Sequence, residues 1–377
     1  MSENNNLTIH HGKIDANPRE VGYDETRLEI LDRHFMKIIE SNKIQCASYL
    51  LSKDGQVFAC RSMGKLRYDD TREFMPDSIR RIASITKVVT SICVMQLVEK
   101  GLIYLNQPVS SIIPEFDTVQ HKKITVFHLL THTSGLSADP GYFTEPYPRN
   151  WWNTESEDSW IKQFLTGPLL CQPGEQWNYS SMGFAILGEI VTRVSGVVYE
   201  QYAMENVIKP LGMNRSFFDV PEELHEEMCC INKFEVERLN KKYEGTNMPS
   251  RAGGGLFSTL EDLKRLGQML LNKGTYNGNI LLGRKTVEAM TSKQLGAGVP
   301  AFMWGAQLKS FNYGIGMHIE RDTLLSPGSF SHEGAGRSAL YMDPVENFLA
   351  AYFVPSNESW APESIISPRS IIWSGIL

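Results

Sequence analysis

The sequence lacks the features that mark several specialised classes of protein. It contains no strongly basic run, and its formal net charge is −6, with 42% hydrophobic and 21% charged residues. That balance is ordinary for a globular protein and argues against nucleic acid or an anionic membrane as a partner. The first residues, Met1 to Asn6, show no basic start followed by an apolar stretch, and no apolar segment reaches transmembrane length. We therefore predict a cytoplasmic protein that binds neither nucleic acid nor membranes.

Cysteine is sparse, and its spacing excludes two further classes of protein. The six cysteines show neither the regular spacing of a disulfide framework nor the paired spacing of a zinc site. We expect all six to be reduced, and we predict neither a metal nor a cofactor. Cys93 lies in an apolar stretch and should be a core residue, whereas Cys229 and Cys230, beside two glutamates, are expected to be partly exposed.

Two widespread hydrolase signatures are also missing from the sequence. Neither G-x-S-x-G nor H-E-x-x-H occurs, so an α/β-hydrolase and a zinc peptidase both lack support.

Hydrophobic periodicity predicts a mainly helical middle of the chain. Apolar residues recur at spacings of three and four in three segments, which is typical of amphipathic helices. These segments are 25–40, 182–194 and 259–271. The stretch 84–100 is apolar on nearly every side, so it predicts a helix that is buried all round.

Strand patterns lie near both ends of the chain. Two β-prone runs within 47–61 flank Asp54-Gly55, a pair suited to the positive φ angles of a type I′ hairpin turn. Three short β-compatible runs follow the helical middle, at 313–319, 337–342 and 348–354. The order of these elements predicts an α+β fold, in which terminal strands form one antiparallel sheet flanked by helices.

The length of 377 residues allows two cores that meet at a cleft. We predict a sheet domain formed by 1–89 and 306–377, with a mainly helical domain, 90–305, inserted between its halves. The active site is expected in the cleft at their junction.

The segment Ser84-Ile85-Thr86-Lys87 matches S-x-x-K, which puts a lysine one helical turn beyond a serine. A serine hydroxyl needs a base to take its proton, and a nearby lysine can serve or support that base. The tetrapeptide also begins at Ser62 and at Ser159. Ser62 follows the predicted hairpin and has a glycine inside its motif, and Ser159 is typical of a capped surface helix. Only Ser84 opens an all-apolar helix, so it is the preferred nucleophile.

Two further motifs follow Ser84 in order, Tyr179-Ser180-Ser181 and His332-Glu333-Gly334. With Leu129 to Leu136, Pro210 to Met213 and Gly253 to Thr259, they resemble serine β-lactamase-like and penicillin-binding-protein-like hydrolases. The sequence is most similar to class C β-lactamases, D-aminopeptidases and family VIII carboxylesterases.

This resemblance implies a Ser-Lys-Tyr catalytic centre with the β-lactamase/transpeptidase-like fold. Ser84 would attack an ester or amide carbonyl, while Tyr179, poised by Lys87, would accept the serine proton and return it to the leaving group. The backbone N–H groups of Ser84 and Ala335 would form the oxyanion hole.

The same resemblance implies that Ser181, His332, Glu333 and Gly334 bind substrate. Ser181 replaces the more usual asparagine, and Glu333 puts a carboxylate where threonine or glycine is usual. A negative charge there would repel a substrate carboxylate, so we predict a neutral or cationic ester, amide or thioester and disfavour β-lactams and D,D-peptides.

Two aromatic residues, Tyr142 and Trp152, belong to a segment that is expected to cover the cleft. They either form an acyl-binding pocket or only fix a long loop. His132, in the turn from Thr131 to Gly135, is expected to be structural, with its ring satisfying backbone groups of the loop.

Three functions remain open from the sequence. The first is a carboxylesterase or amidase, and the second is an acyltransferase or peptide-releasing, thioesterase-like enzyme that passes the acyl group to an amine or alcohol. The third is a non-catalytic sensor that keeps the fold, although the presence of all three catalytic residue types argues against it. The sequence leaves the oligomeric state open.

Overall fold

The computed structural model describes residues 7–137, 157–239, 247–303, 306–309, 311–320, 324–356 and 362–377. Tyr142 and Trp152 lie outside the described residues, so their predicted contact with substrate stays a prediction.

An antiparallel sheet of seven strands, in the order β1-β3-β2-β14-β13-β12-β11, forms the centre of the described structure. Its strands are β1 (His10–His11), β2 (Cys46–Lys53), β3 (Gln56–Gly64), β11 (His318–Ile319), β12 (Phe330–Gly334), β13 (Ser338–Asp343) and β14 (Phe348–Phe353). The predicted hairpin is confirmed as β2 and β3, and its turn residues Asp54 and Gly55 have φ angles of 53° and 80°. The β-compatible runs in the sequence did not predict strand β12.

Short strands join the loops around the sheet. They are β4 (Arg80–Arg81) with β6 (Phe257–Ser258), β5 (Trp177–Asn178) with β9 (Ala301–Met303) and β10 (Ala306–Leu308), and β7 (Thr275–Tyr276) with β8 (Asn279–Ile280).

The described helices are α1 (Thr26–Glu40), α2 (Thr86–Glu99), α3 (Val126–Leu130), α4 (Trp160–Phe164), α5 (Ser181–Ser195), α6 (Tyr199–Ala203), α7 (Lys233–Leu239), α8 (Leu260–Leu271), α9 (Arg284–Met290) and α10 (Pro362–Trp373). The three helices predicted from periodicity are confirmed as α1, α5 and α8, and the helix predicted from the apolar stretch 84–100 is confirmed as α2. Nearly every residue of α2 from Thr86 to Leu97 is buried, as its apolar sequence requires.

Two hydrophobic clusters cover the two faces of the sheet. On the front face, α8 packs against the sheet, and the cluster that also contains α2 and α5 includes the strand residues Phe330 and Leu340. On the back face, α1 and α10 pack against the intervening residues, including Ala339 and Tyr341. Because successive side chains of a strand point to opposite faces, the longer strands β2, β3, β13 and β14 contribute to both clusters.

The cysteines are free in the described structure, and Cys93 is a core residue as predicted. The expected exposure of Cys229 and Cys230 is wrong, because both side chains are only 1% exposed. Among the described residues, no single helix has the length and apolar character needed to cross a membrane, although one bent pair, Ser181–Ser195 with Tyr199–Ile208, meets those two criteria.

Candidate active site

Ser84 lies on a 3-10 turn, Ala83–Ile85, which leads directly into α2. Ala83 has a φ angle of 45°, a left-handed conformation that costs a non-glycine residue about 1–3 kcal/mol. The Thr86 hydroxyl holds this turn, because Oγ1 donates to the Ala83 carbonyl at 2.6 Å and accepts from the Leu256 N–H at 3.1 Å. Ser84 is partly exposed although its neighbours on both sides are buried. The turn therefore presents one hydroxyl on a rigid support.

Lys87 is fully buried, and its amine is surrounded by oxygen atoms. Nζ lies 3.1 Å from Ser84 Oγ, 3.2 Å from Ser181 Oγ and 2.5 Å from the carbonyl oxygen of Gly253. A buried ammonium is costly unless its N–H groups are paired, and three oxygen partners match the three N–H groups of a protonated lysine. The carbonyl oxygen can only accept, so Lys87 Nζ is the donor in this contact.

Tyr179, which belongs to the second motif, lies close to Lys87. Its ring centroid is 4.8 Å from Lys87 Nζ, and the side chain is 8% exposed. Tyr179 lies just before α5, whose first turn is capped by the Ser180 hydroxyl accepting from the Gly183 N–H at 3.0 Å. The structure thus brings together Ser84, Lys87 and Tyr179, together with Ser181 of the same motif.

The third motif lies on β12 and ends against the nucleophile turn. A Cβ atom on Gly334 would lie 2.2 Å from the Ile82 carbonyl oxygen, so only glycine allows this approach. The Ser338 hydroxyl also donates to Ile82 O, at 2.9 Å. This packing brings the end of β12, which Ala335 follows, against the turn that carries Ser84. The oxyanion hole of Ser84 and Ala335 stays a prediction.

His332 and Glu333 are neighbours on β12 and point to opposite faces of the sheet. His332 is paired with Leu340 and belongs to the front face, where its side chain is 1% exposed. Its Nδ1 lies 2.8 Å from the Glu333 carbonyl oxygen, which can only accept, so Nδ1 carries the hydrogen and Nε2 is an acceptor. That Nε2 atom is buried without a hydrogen-bond partner among the described residues.

The orientation of Glu333 contradicts the prediction from the sequence that this side chain lies near the substrate. Its carboxylate accepts a hydrogen bond from the hydroxyl of Tyr341, a residue of the back-face cluster. The side chain therefore points away from the cleft and does not bind substrate as predicted. The electrostatic argument against substrate carboxylates, which depended on this residue, no longer holds.

Arg369 of α10 links Glu333 to a larger polar network on the back face. Its guanidinium donates to Tyr341 Oη and to Glu320 Oε2, both at 3.3 Å, and Glu320 also accepts from the Ser331 hydroxyl. Burial raises the pKa of Glu333, while the Tyr341 hydrogen bond and Arg369 oppose this shift. Hydrogen bonds within the chain thus connect one guanidinium and two carboxylates through the Tyr341 hydroxyl.

Burial keeps three histidines near the candidate site neutral. It lowers the pKa of His318 to about 4 and lowers those of His132 and His332 well below 6.5, where Lys87 adds to the effect. Rings of His318 and His332 are 5.7 Å apart. No group of three or more His, Cys, Asp or Glu side chains within the described ranges could hold a metal ion.

The two other S-x-x-K serines occupy ordinary structural positions. Ser62 lies inside strand β3, where the following lysine cannot sit one helical turn away. Ser159 caps the short helix α4 by accepting from the Lys162 N–H at 3.3 Å. Both positions agree with the preference for Ser84.

Sequence reasoning missed one member of the site, the carbonyl group of Gly253. This oxygen belongs to the turn Arg251–Gly253, which is held by Thr90 Oγ1 donating to Ala252 O at 2.7 Å. The Gly253-Gly254-Gly255 run was the available signal, because a Cβ on Gly253 would lie 2.9 Å from the Ser181 carbonyl oxygen.

A front-face serine turn beside an antiparallel sheet that helices cover on both sides defines the class of β-lactamase/transpeptidase-like proteins. The β-lactamase family model matches residues 31–364. The chain therefore belongs to the β-lactamase family and is a serine hydrolase of that family.

Individual proteins resemble the chain over most of its length. Protein Rv1367c of Mycobacterium tuberculosis is 29% identical over 312 residues, which cover 74% of this chain and 77% of the relative. A Salmonella typhi protein, named provisionally as a D-alanyl-D-alanine carboxypeptidase, is 25% identical over 96% of this chain and 90% of its own length. The solved structure of EstCE1, a hydrolase with promiscuous acyltransferase activity, superposes with a TM-score of 0.76 and 16% identity, covering 93% of this chain and 99% of that one.

Proposed function

We propose that the protein is a carboxylesterase or amidase that works through an acyl intermediate on Ser84. The observation that supports this most directly is the position of Lys87 Nζ, 3.1 Å from Ser84 Oγ and 4.8 Å from the Tyr179 ring centroid. A nucleophile, a cation and a phenol so close together, beside a partly exposed hydroxyl, suit acyl transfer to serine.

In the proposed reaction, the oxygen of Tyr179 takes the proton of the Ser84 hydroxyl while Ser84 Oγ bonds to the substrate carbonyl carbon. The charge of Lys87 stabilises the phenolate form of Tyr179 that this step requires. The N–H groups of Ser84 and Ala335 donate to the new oxyanion, and each such donor contributes about 3–4 kcal/mol to the stability of the transition state.

The tetrahedral intermediate then expels the alcohol or amine, which receives its proton from Tyr179. Water repeats the sequence on the acyl-enzyme, so that Tyr179 accepts a proton from water and returns it to Ser84 as the acid leaves. No cofactor enters this scheme.

The substrate class is a neutral ester, amide or thioester, or one that carries a carboxylate. A substrate that carries a carboxylate is again compatible with the site, because Glu333 faces the back of the sheet and accepts a hydrogen bond from Tyr341. This makes a D-alanyl-D-alanine carboxypeptidase the second candidate function, and the name of the Salmonella relative supports it.

Intact-mass measurement after incubation with a fluorophosphonate or with penicillin G tests the proposal. We expect a fluorophosphonate adduct on the wild type and on Ser159→Ala, a matched serine of the same motif, but none on Ser84→Ala. A lasting penicillin adduct would favour the carboxypeptidase, and its absence would favour the esterase. Equal labelling of Ser84→Ala and the wild type would refute the proposed nucleophile.

Product analysis with p-nitrophenyl esters separates hydrolysis from acyl transfer. An esterase gives the acid whether or not an amine is added, whereas an acyltransferase gives the amide in its presence. Transfer to the amine as the main reaction would replace hydrolysis as the proposed activity.

A further inference from the structure

His132 contacts the segment of Tyr179 through both its backbone and its ring. The His132 carbonyl accepts from the Asn178 N–H at 2.8 Å, and its Nδ1 accepts from the Ser180 N–H at 3.1 Å. One residue thus binds the two peptide groups that flank the phenol, while its ring centroid lies 4.6 Å from that of Tyr179.

These contacts fix the chemical form of the His132 ring. A ring nitrogen that accepts from a backbone N–H carries no hydrogen, so Nδ1 is bare and the neutral ring has its hydrogen on Nε2. Burial at 1% exposure, together with the nearby Lys87, keeps the ring uncharged.

The backbone of His132 is itself held in an uncommon conformation. Its φ angle is 56°, in the left-handed region, which is uncommon for residues other than glycine, although asparagine, aspartate and histidine adopt it more often than the rest. Such a conformation persists only where the surroundings enforce it, and here it lets the carbonyl and the ring reach the same strand segment. The rings of Trp177, Phe184 and Tyr313, with centroids between 5.0 and 5.5 Å away, surround it.

We propose that His132 is a positioning residue, which holds the phenol of Tyr179 in register with Lys87 and Ser84. This inference rests on the proposed function, because it assigns His132 a role only if Tyr179 moves the serine proton. The contact differs from ordinary loop stabilisation in that both of its hydrogen bonds end on residues adjacent to the proposed base.

The structure offers a matched control four residues away. His128, on α3, also accepts a backbone N–H at Nδ1, that of Thr125 at 3.2 Å, but its partner lies outside the candidate site. Removing either ring leaves one backbone N–H without its acceptor, and the loss should cost more stability at the buried His132 than at the partly buried His128. Only the loss of His132 also frees the segment of Tyr179.

The experiment compares His132→Leu, His132→Asn and His128→Leu in burst kinetics with a p-nitrophenyl ester, with thermal unfolding in parallel. We expect His132→Leu to slow acylation by about 100-fold with little change in KM, since small misplacement of a catalytic group costs about that much. His132→Asn should recover most of the rate, because its side-chain oxygen replaces Nδ1 and asparagine tolerates a left-handed φ. His128→Leu should acylate at the wild-type rate despite a lower unfolding temperature.

Two results would overturn the proposal while leaving the proposed function intact. One is equal slowing in His128→Leu and His132→Leu, and the other is a His132→Asn rate no better than that of His132→Leu. If His132→Leu does not fold, His132→Gln replaces it, because its oxygen extends to the position of Nε2 and not Nδ1. A wild type that forms no acyl-enzyme on Ser84 would refute both proposals together.

Discussion

The two faces of the central sheet use charged and polar groups in different ways, and β12 shows the contrast within two residues. Glu333 points to the back, where hydrogen bonds join its carboxylate to Tyr341, and Arg369 to both Tyr341 and Glu320. His332 points to the front, where its Nε2 is a buried acceptor with no partner among the described residues. Polar groups whose hydrogen bonds close within the chain stabilise a fold, whereas groups with bonding capacity left over can act on a substrate.

The largest expected effect comes from the front face. Ser84→Ala should lower ester turnover by on the order of 10⁴-fold or more, because no covalent intermediate can form. The unfolding temperature should stay near that of the wild type, since the Ser84 side chain is partly exposed. Steady-state kinetics measures the turnover, and calorimetry measures the unfolding temperature. If Ser84→Ala kept its turnover, catalysis would no longer distinguish the front face from the back face.

Tyr179→Phe removes only the phenol oxygen and keeps the ring beside His132 and Lys87. We expect turnover to fall by about 10²–10⁴-fold, the usual contribution of a general acid–base group, with little change in stability. The pH profile of kcat/KM should lose the limb that belongs to this group. A variant with wild-type turnover would move the role of base to another residue.

On the back face, Arg369→Met should act on stability and not on chemistry. Arg369 and Glu320 have side-chain exposures of 13% and 14%, and removing one partner of a buried pair costs about 3 kcal/mol in the free energy of unfolding. Arg33→Met is the control, because its contact with Glu29 is 69% and 67% exposed. Urea unfolding measures both, and a large kcat loss in folded Arg369→Met would show that the faces are not independent.

A smaller effect should appear in the pH dependence of stability. The unfolded chain binds a proton at His318 near pH 6.5, but burial lowers the folded pKa to about 4. Between these values the unfolded state holds more protons, so stability falls as the pH falls.

His318→Gln should therefore reduce the loss of stability between pH 7 and pH 5 by about 2 kcal/mol. Denaturant unfolding at the two pH values tests this expectation. An unchanged pH dependence would mean that this histidine is protonated in the folded protein at pH 5, contrary to a neutral His318.

Much of the fold followed from local patterns, because α1, α5 and α8 have amphipathic repeats and α2 is apolar throughout. Helix α10 was not predicted, since Pro368 lies inside it and proline disfavours helix interiors. The orientation of Glu333 was equally inaccessible: alternation puts it opposite His332, but the pairing of β12 with β13 decides which of the two faces the back.

The candidate site also contains parts that the sequence predicts and parts that it does not. Ser84, Lys87 and Tyr179 were predictable because their chemistry belongs to their side chains. They also lie in motifs that follow one another in a recognisable order along the chain. The third partner of Lys87 is a backbone carbonyl, which every residue possesses, so no residue type marks it. The role inferred for His132 likewise depends on peptide groups of a strand that lies far along the chain.

The contact between Arg369 and the Glu333 network has a consequence for synthesis on the ribosome. Strand β12 leaves the exit tunnel before α10, so Glu333 and Glu320 are synthesised before Arg369. The part of the back face that α10 covers stays exposed until α10 docks. The hydroxyl of Tyr23 donates to the Ile372 carbonyl at 2.9 Å, and Ile372 is synthesised later than Arg369. A nascent chain that stalls before residue 362 would thus expose an apolar sheet face, a signal by which chaperones and proteases recognise incomplete products.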